Sequence, residues 1–204
     1  MTFARALIFG LASMGLGLPA TAADFSDPTW PCIQRKVGAL SMGLMWPVQM
    51  DEDMPLDPAL RAAADQLAET LALRRIDLET AEGLVGDFAD THEADMAVMS
   101  YVFSRVFRTL NTRRTALIEG IGEYSLSQIA RSERIDETRA RMDTLMAAEE
   151  PDFDEVDRLE EQVDWDERIY TDRQKSLTYV CETPVLLEKR LYAVAQMLTA
   201  AAKD

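Results

Sequence analysis

The sequence predicts an all-α protein: two short helices packed on a long antiparallel helical hairpin, its tip projecting as a coiled coil, with an irregular N-terminal arm. Three observations carry this expectation. From Ala94 to Ala148 there is no proline, and Met99, Val102, Val106, Leu110, Leu117, Ile121 and Tyr124 recur at three to four residues or their sums. Glu149-Glu150-Pro151 interrupts the pattern, and Asp152-x-x-Glu155 restarts it through Val156, Leu159, Val163, Ile169, Leu177, Leu187, Leu191 and Leu198. Hydrophobic residues make up 48% of 204 positions, enough for a packed core.

Taken in order, residues 1–23 stand apart from the fold. Arg5 precedes an apolar run ending at Pro19, and Ala20-Thr21-Ala22-Ala23 follows with small side chains. Such a pattern is the charged, apolar and cleavage region of a secretory signal peptide, too short to span a bilayer. Its removal takes away Arg5 and no acid, so the formal charge of -15 becomes -16. Residues 24–56 hold Pro28, Pro31, Pro47 and Pro55 without a sustained helical period and are expected to form an extended arm.

Helical structure begins at Asp57-Pro58, an acceptor side chain followed by a residue already preset for the first helical position. Leu60, Ala64, Leu67 and Leu71 mark its apolar face, and Leu78, Ala81, Leu84, Val85 and Phe88 that of a second helix capped by Asp77. Asp90-x-x-Glu93 then reads as the start of the first long helix. Two long helices joined by a tight turn should lie antiparallel, each roughly 70–80 Å long at about 1.5 Å per residue. Reflection about Pro151 sets Met146 against Val156, Met142 against Leu159 or Glu160, and Leu110 against Leu191.

The same reflection places Cys181 across from Gly120-Ile121-Gly122. Two glycines so close within a helix cost about 1 kcal/mol each, which suggests that another segment crosses there. Cys32 and Cys181 are the two cysteines, with no C-x-x-C motif, and in an exported chain they are expected to pair. That bridge would close a loop worth about 4–5 kcal/mol in chain entropy and tie the arm to the hairpin. Pro184 should kink the last helix near the crossing.

The domain reading is therefore a signal peptide at 1–23, an arm at 24–56, a helical body at 57–131 and 169–204, and a projecting acidic hairpin at 132–168. Residues 152–168 contain nine acids and two arginines, a net -7. Arg131, Arg134, Arg139 and Arg141 face them from the first arm, and a pair such as Arg141 with Glu161 is expected, adding at most about 1 kcal/mol where exposed.

Function is bounded mainly by what is missing. An acidic chain lacks the basic footprint that nucleic acid or an anionic membrane requires. One His and two Cys leave little for zinc or a nucleophilic triad, and no G-x-S-x-G, H-E-x-x-H, P-loop, dinucleotide or calcium-loop motif occurs. The expectation is a non-enzymatic, exported protein that acts through another periplasmic or envelope protein, with no cofactor and an oligomeric state left open. The candidate contact residues are Trp165, Asp164 and Glu160 on the acidic hairpin, where an aromatic side chain among charges suits a contact point. Arg105, Arg108 and Arg113, with Arg114 beside them, form a basic cluster on the body and the second candidate face, although a solvated face whose arginines snorkel or pair with acids of the short helices is the favoured account. The alternative function is a copper or haem module. Met42, Met45, Met50 and Met54 cluster in the arm, and His92, Met96 and Met99 follow one another at helical spacing, offering soft ligands for Cu(I) or axial ligands for haem. Methionine is also an ordinary filler of helical cores.

Overall fold

A computed structural model describes residues 27–48 and 54–203; the expected signal peptide at 1–23 and Met50 lie outside them. The described chain is helical, with no strand: α1 (Met42–Met45), α2 (Pro58–Leu71), α3 (Leu78–His92), α4 (Met96–Met146) and α5 (Phe153–Ala201). The two long helices, of 51 and 49 residues, pack against each other.

Local chemistry sets most of the boundaries. Asp57 accepts from the N–H groups of Ala59 and Leu60 ahead of Pro58, and Asp77 accepts from that of Thr80. These oxygens satisfy amides that have no carbonyl partner within the helix. Asp152 does the same for Glu155 at the start of α5. The start of α4 corrects the sequence expectation. Asp90 and Glu93 do not open it, because α3 runs through Asp90 to His92 and Glu93 adopts a left-handed conformation with φ 47°. Asp95 caps α4 instead, accepting from Ala97 and Val98 at 3.0 and 2.9 Å. Asp90 lies instead in the last turn of α3, and the left-handed residue lets the Ala94 N–H close onto the Ala89 carbonyl.

The core of the body is built from Ala64, Leu67 and Leu71 of α2, Ala81, Val85 and Phe88 of α3, Met99 to Leu110 of α4, and Leu187 to Leu198 of α5. Leu110 and Leu191 both belong to it. Leu60 and Leu84 pack at its margin. The chain end is fixed here too: the Lys203 N–H donates to Ala94 and its ammonium pairs with Asp90 at 2.5 Å.

The arm departs from a purely extended path by the single turn of α1, which brings Trp46 into the core. There its ring stacks on Phe103 at 4.7 Å and its N–H donates to the Ser100 hydroxyl at 2.9 Å. Nearer the start, Trp30 and Cys32 join Ile118, Ile121 and Cys181 in a second, smaller core. Cys32 and Cys181 form a disulfide across 149 residues, with Cα atoms 5.5 Å apart. The arm does cross at Gly122, where an added Cβ would meet Thr29 at 3.4 Å, but Gly120 faces open space and is not part of the crossing. α4 passes through both glycines unbroken, and α5 continues through a buried Pro184.

Beyond this point the first α4 and α5 partners run in reverse order along the chain: the Tyr124 hydroxyl donates to the Arg173 carbonyl, Gln128 donates to the Tyr170 carbonyl, and Arg131 pairs with Asp166. Arg139 departs from that order by reaching back along α5 to pair with Glu167. Ser125, Ile135, Thr138, Val156, Leu159, Val163 and Asp166 are the buried residues of this stretch. Arg141 pairs with Glu155 at 2.8 Å and not with Glu161. A long arginine side chain reaches past its opposite position, and Glu155, already gripped by Arg158, is the less solvated carboxylate.

Candidate functional site

The outward face of α5 carries the most conspicuous unburied apolar groups. Trp165 is 62% exposed, Tyr179 76% and Leu186 41%. Their spacings of 14 and 7 residues return to nearly the same side of a helix, since seven residues make almost two turns. Asp164 and Glu160 are both exposed near Trp165. Of the nine acids at 152–168, Glu155, Asp166 and Glu167 are held by arginines. Asp154, Asp157, Glu160, Glu161 and Asp164 carry no ion pair among the described residues. The inner face of this stretch is thus neutralised by α4, whereas its outer face keeps unbalanced negative charge beside an exposed indole.

Within that charge pattern, Glu155 shows how the arginines act. The Arg158 guanidinium bonded to it holds its carboxyl below the ordinary range, and the reciprocal effect raises Arg158. Arg158 is exposed and Glu155 only half-buried, so the pair adds little to stability.

The second candidate face is largely consumed by the fold. Arg105 pairs with Asp65 at 3.0 Å, and Arg61 and Tyr101 complete a small polar group around the same carboxylate. Arg108 is also engaged. Arg113 donates to the carbonyl of Ala72 at 3.2 Å. These bonds match the account in which the α4 arginines pair with the short helices.

Sequence reasoning placed Arg114 on a solvated basic face and passed over Arg190, yet these are the two arginines set in the interior. Arg114 is 1% exposed; its Nε bonds Glu188 at 2.7 Å, and its other nitrogens reach the carbonyls of Val37 and Gly38 in the arm. Arg190 is 7% exposed and bonds the carbonyls that end α2 and follow it. Both occupy apolar stripes, Arg114 between Leu110 and Ile118 and Arg190 beside Leu187 and Leu191. A charge interrupting a core stripe is the signal that would have found them.

His92 does not share a helical face with Met96 and Met99, although their spacing suggested one. Met42, Met45 and Met54 pack against the main core, as does Met96 at the start of α4. His92 ends α3, exposed and against the Phe88 ring at 4.8 Å. The left-handed Glu93 separates it from Met96 and Met99, so the three do not share one helical face. No group of three or more His, Cys, Asp or Glu among the described residues is placed to hold a metal ion. No described helix is long and apolar enough to cross a membrane.

Neither a protein-family model, nor a curated protein, nor a solved structure matches the chain.

Proposed function

We propose that this is an exported, non-enzymatic helical protein that serves as a scaffold, adaptor or accessory subunit for another envelope protein. Its contact surface is the outer face of the acidic hairpin, residues 132–168, which projects from the body as a two-helix coiled coil. The observation that carries this is Trp165, mostly exposed on α5 beside the unpaired Glu161 and Asp164. An exposed indole supplies apolar area, and the surrounding carboxylates favour a partner with a basic face. Tyr179 and Leu186 extend the same stripe toward the body. Export is supported by the composition of residues 1–23 and by a disulfide, which persists in an oxidising compartment.

Two measurements test it. Mass spectrometry of the protein recovered from its host should find a chain beginning at Asp24; a chain retaining residues 1–23 would overturn export. Recovery of a basic envelope protein by the tagged chain should be lost on Trp165→Ala with Tyr179→Ala, and on deletion of 132–168 with the helices rejoined. Equal recovery by both variants would overturn the assignment of the surface.

A further inference from the structure

Separate from the acidic outer face, the junction of arm, α4 and α5 forms an open cleft of about 430 Å³, within the ordinary size range of small-molecule sites. Pro31, Tyr124, Ile129, Tyr170 and Leu177 supply apolar and aromatic wall. The disulfide-bearing core lies next to it: Leu177 packs there, and Cys32 follows Pro31 directly. The walls are therefore held from both sides and do not depend on a ligand for their form.

The polar groups of this cavity point to one kind of ligand. Gln128 uses its amide nitrogen on the Tyr170 carbonyl at 3.0 Å. Its amide oxygen is buried with no hydrogen-bond partner. An orphaned buried acceptor costs free energy, which a small rotation of the Gln128 amide toward the cavity would let an incoming N–H recover. Glu133 is the charged residue of the lining, exposed and without an ion pair among the described residues. The nearby cations are occupied. Arg131 pairs with Asp166, and Arg173 lies 5.8 Å over the Tyr124 ring and bonds the Ser127 hydroxyl. The lining thus combines aromatic and aliphatic wall, an unfilled acceptor and an uncompensated negative charge, with no cation of its own.

We propose that this cavity binds a small organic ammonium: an amine with an aromatic or aliphatic body, its N–H groups directed to Gln128 and Glu133. A tyrosine wall adds attraction for the cation, and the apolar body displaces water from Leu177 and Ile129.

Isothermal titration of the purified full chain with 2-phenylethylamine, 2-phenylethanol and 3-phenylpropanoate tests this. These probes keep one aromatic body and vary only the head group. Saturable binding of the amine is expected, about tenfold weaker for the alcohol and absent for the carboxylate. Glu133→Gln, an exposed change remote from the core, should weaken amine binding about tenfold and leave alcohol binding unchanged. Gln128→Leu should weaken both. Binding of the carboxylate as strong as that of the amine, no saturation by the amine at millimolar concentration, or an unaltered amine affinity in Glu133→Gln would each overturn the proposal. Because Glu133→Gln leaves Trp165 untouched, partner recovery by that variant separates failure of this site from failure of the outer face.

Discussion

The guanidinium of Arg190 in α5 donates to the backbone carbonyl of Leu71, the last residue of α2, at 2.7 Å, and to that of Ile76 at the same distance. With Arg113 on Ala72, it ends α2 using cations from both long helices. Carbonyls at a helix C-terminus lack internal partners and carry the negative end of the helix dipole, so a buried cation satisfies both. Burial and the neighbouring Arg74 lower the Arg190 pKa, but an arginine stays charged throughout the working range. Arg190→Met, which keeps bulk and removes both donations, should cost about 3 kcal/mol. Arg190→Lys, with one compact donor in place of a fork, should cost about half of that. The check is the urea midpoint, with the denaturant slope unchanged.

Arg114 joins α4 to Glu188 of α5 and to the arm carbonyls of Val37 and Gly38. Removing one partner of a buried ion pair costs more than the pair itself contributes, because the other charge stays behind. Arg114→Met should therefore destabilise by about 3–5 kcal/mol, and Glu188→Gln, at a partly exposed partner, by clearly less. Loss of the arm bonds has its own signature: trypsin should cut after Arg35 or Lys36 faster in Arg114→Met than in Glu188→Gln. Equal cleavage rates would show that the arm is held without Arg114.

Gly120 and Gly122 should respond in opposite ways to the same enlargement. Nothing lies within 4 Å of a Cβ at Gly120, so Gly120→Ala should stabilise by about 1 kcal/mol from helix propensity alone, raising Tm by about 2–4 °C. At Gly122 a Cβ meets Thr29 at 3.4 Å, an ordinary contact, so alanine is accommodated. A longer side chain there must displace the arm, and Gly122→Leu should destabilise by about 1–3 kcal/mol, whereas Gly120→Leu should not. Thermal unfolding of the four variants decides this.

The arm turn should weaken in acid. Lys36 and Thr29 hydrogen-bond the Asp27 carboxylate and hold its pKa at about 2, against an ordinary 3.8. A carboxyl lowered by folding contributes fully above its unfolded value, and that contribution disappears as pH falls through the folded value. The turn should thus be intact above about pH 4 and lose this support between about pH 4 and 2. Titration of the Asp27 carboxyl carbon by NMR checks the value, and Lys36→Met should move it up toward 3.8. An unmoved titration would show that Lys36 is not the cause.

The sequence by itself determined four of the five described helices, to within a few residues, and the cysteine partnership. Helical periodicity, capping carboxylates and proline act within a few residues, so they can be read one segment at a time. The same locality explains the errors. Asp90 and Asp95 are both competent caps, and only the packed course of α3 decided that Asp95 caps α4. Spacing alone put His92, Met96 and Met99 on one face, and a single left-handed residue undid it.

Only the tertiary structure decided where the arm lies and which charges are spent. Arg114 and Arg190 are chemically indistinguishable from Arg105 and Arg108 along the chain, but backbone carbonyls from Val37 to Ile76 meet them once α4, α5 and the arm pack. The cavity beside Tyr170 and the isolation of Trp165 have the same origin. Each depends on what fails to approach a side chain, and that follows from the packing of segments far apart in the chain.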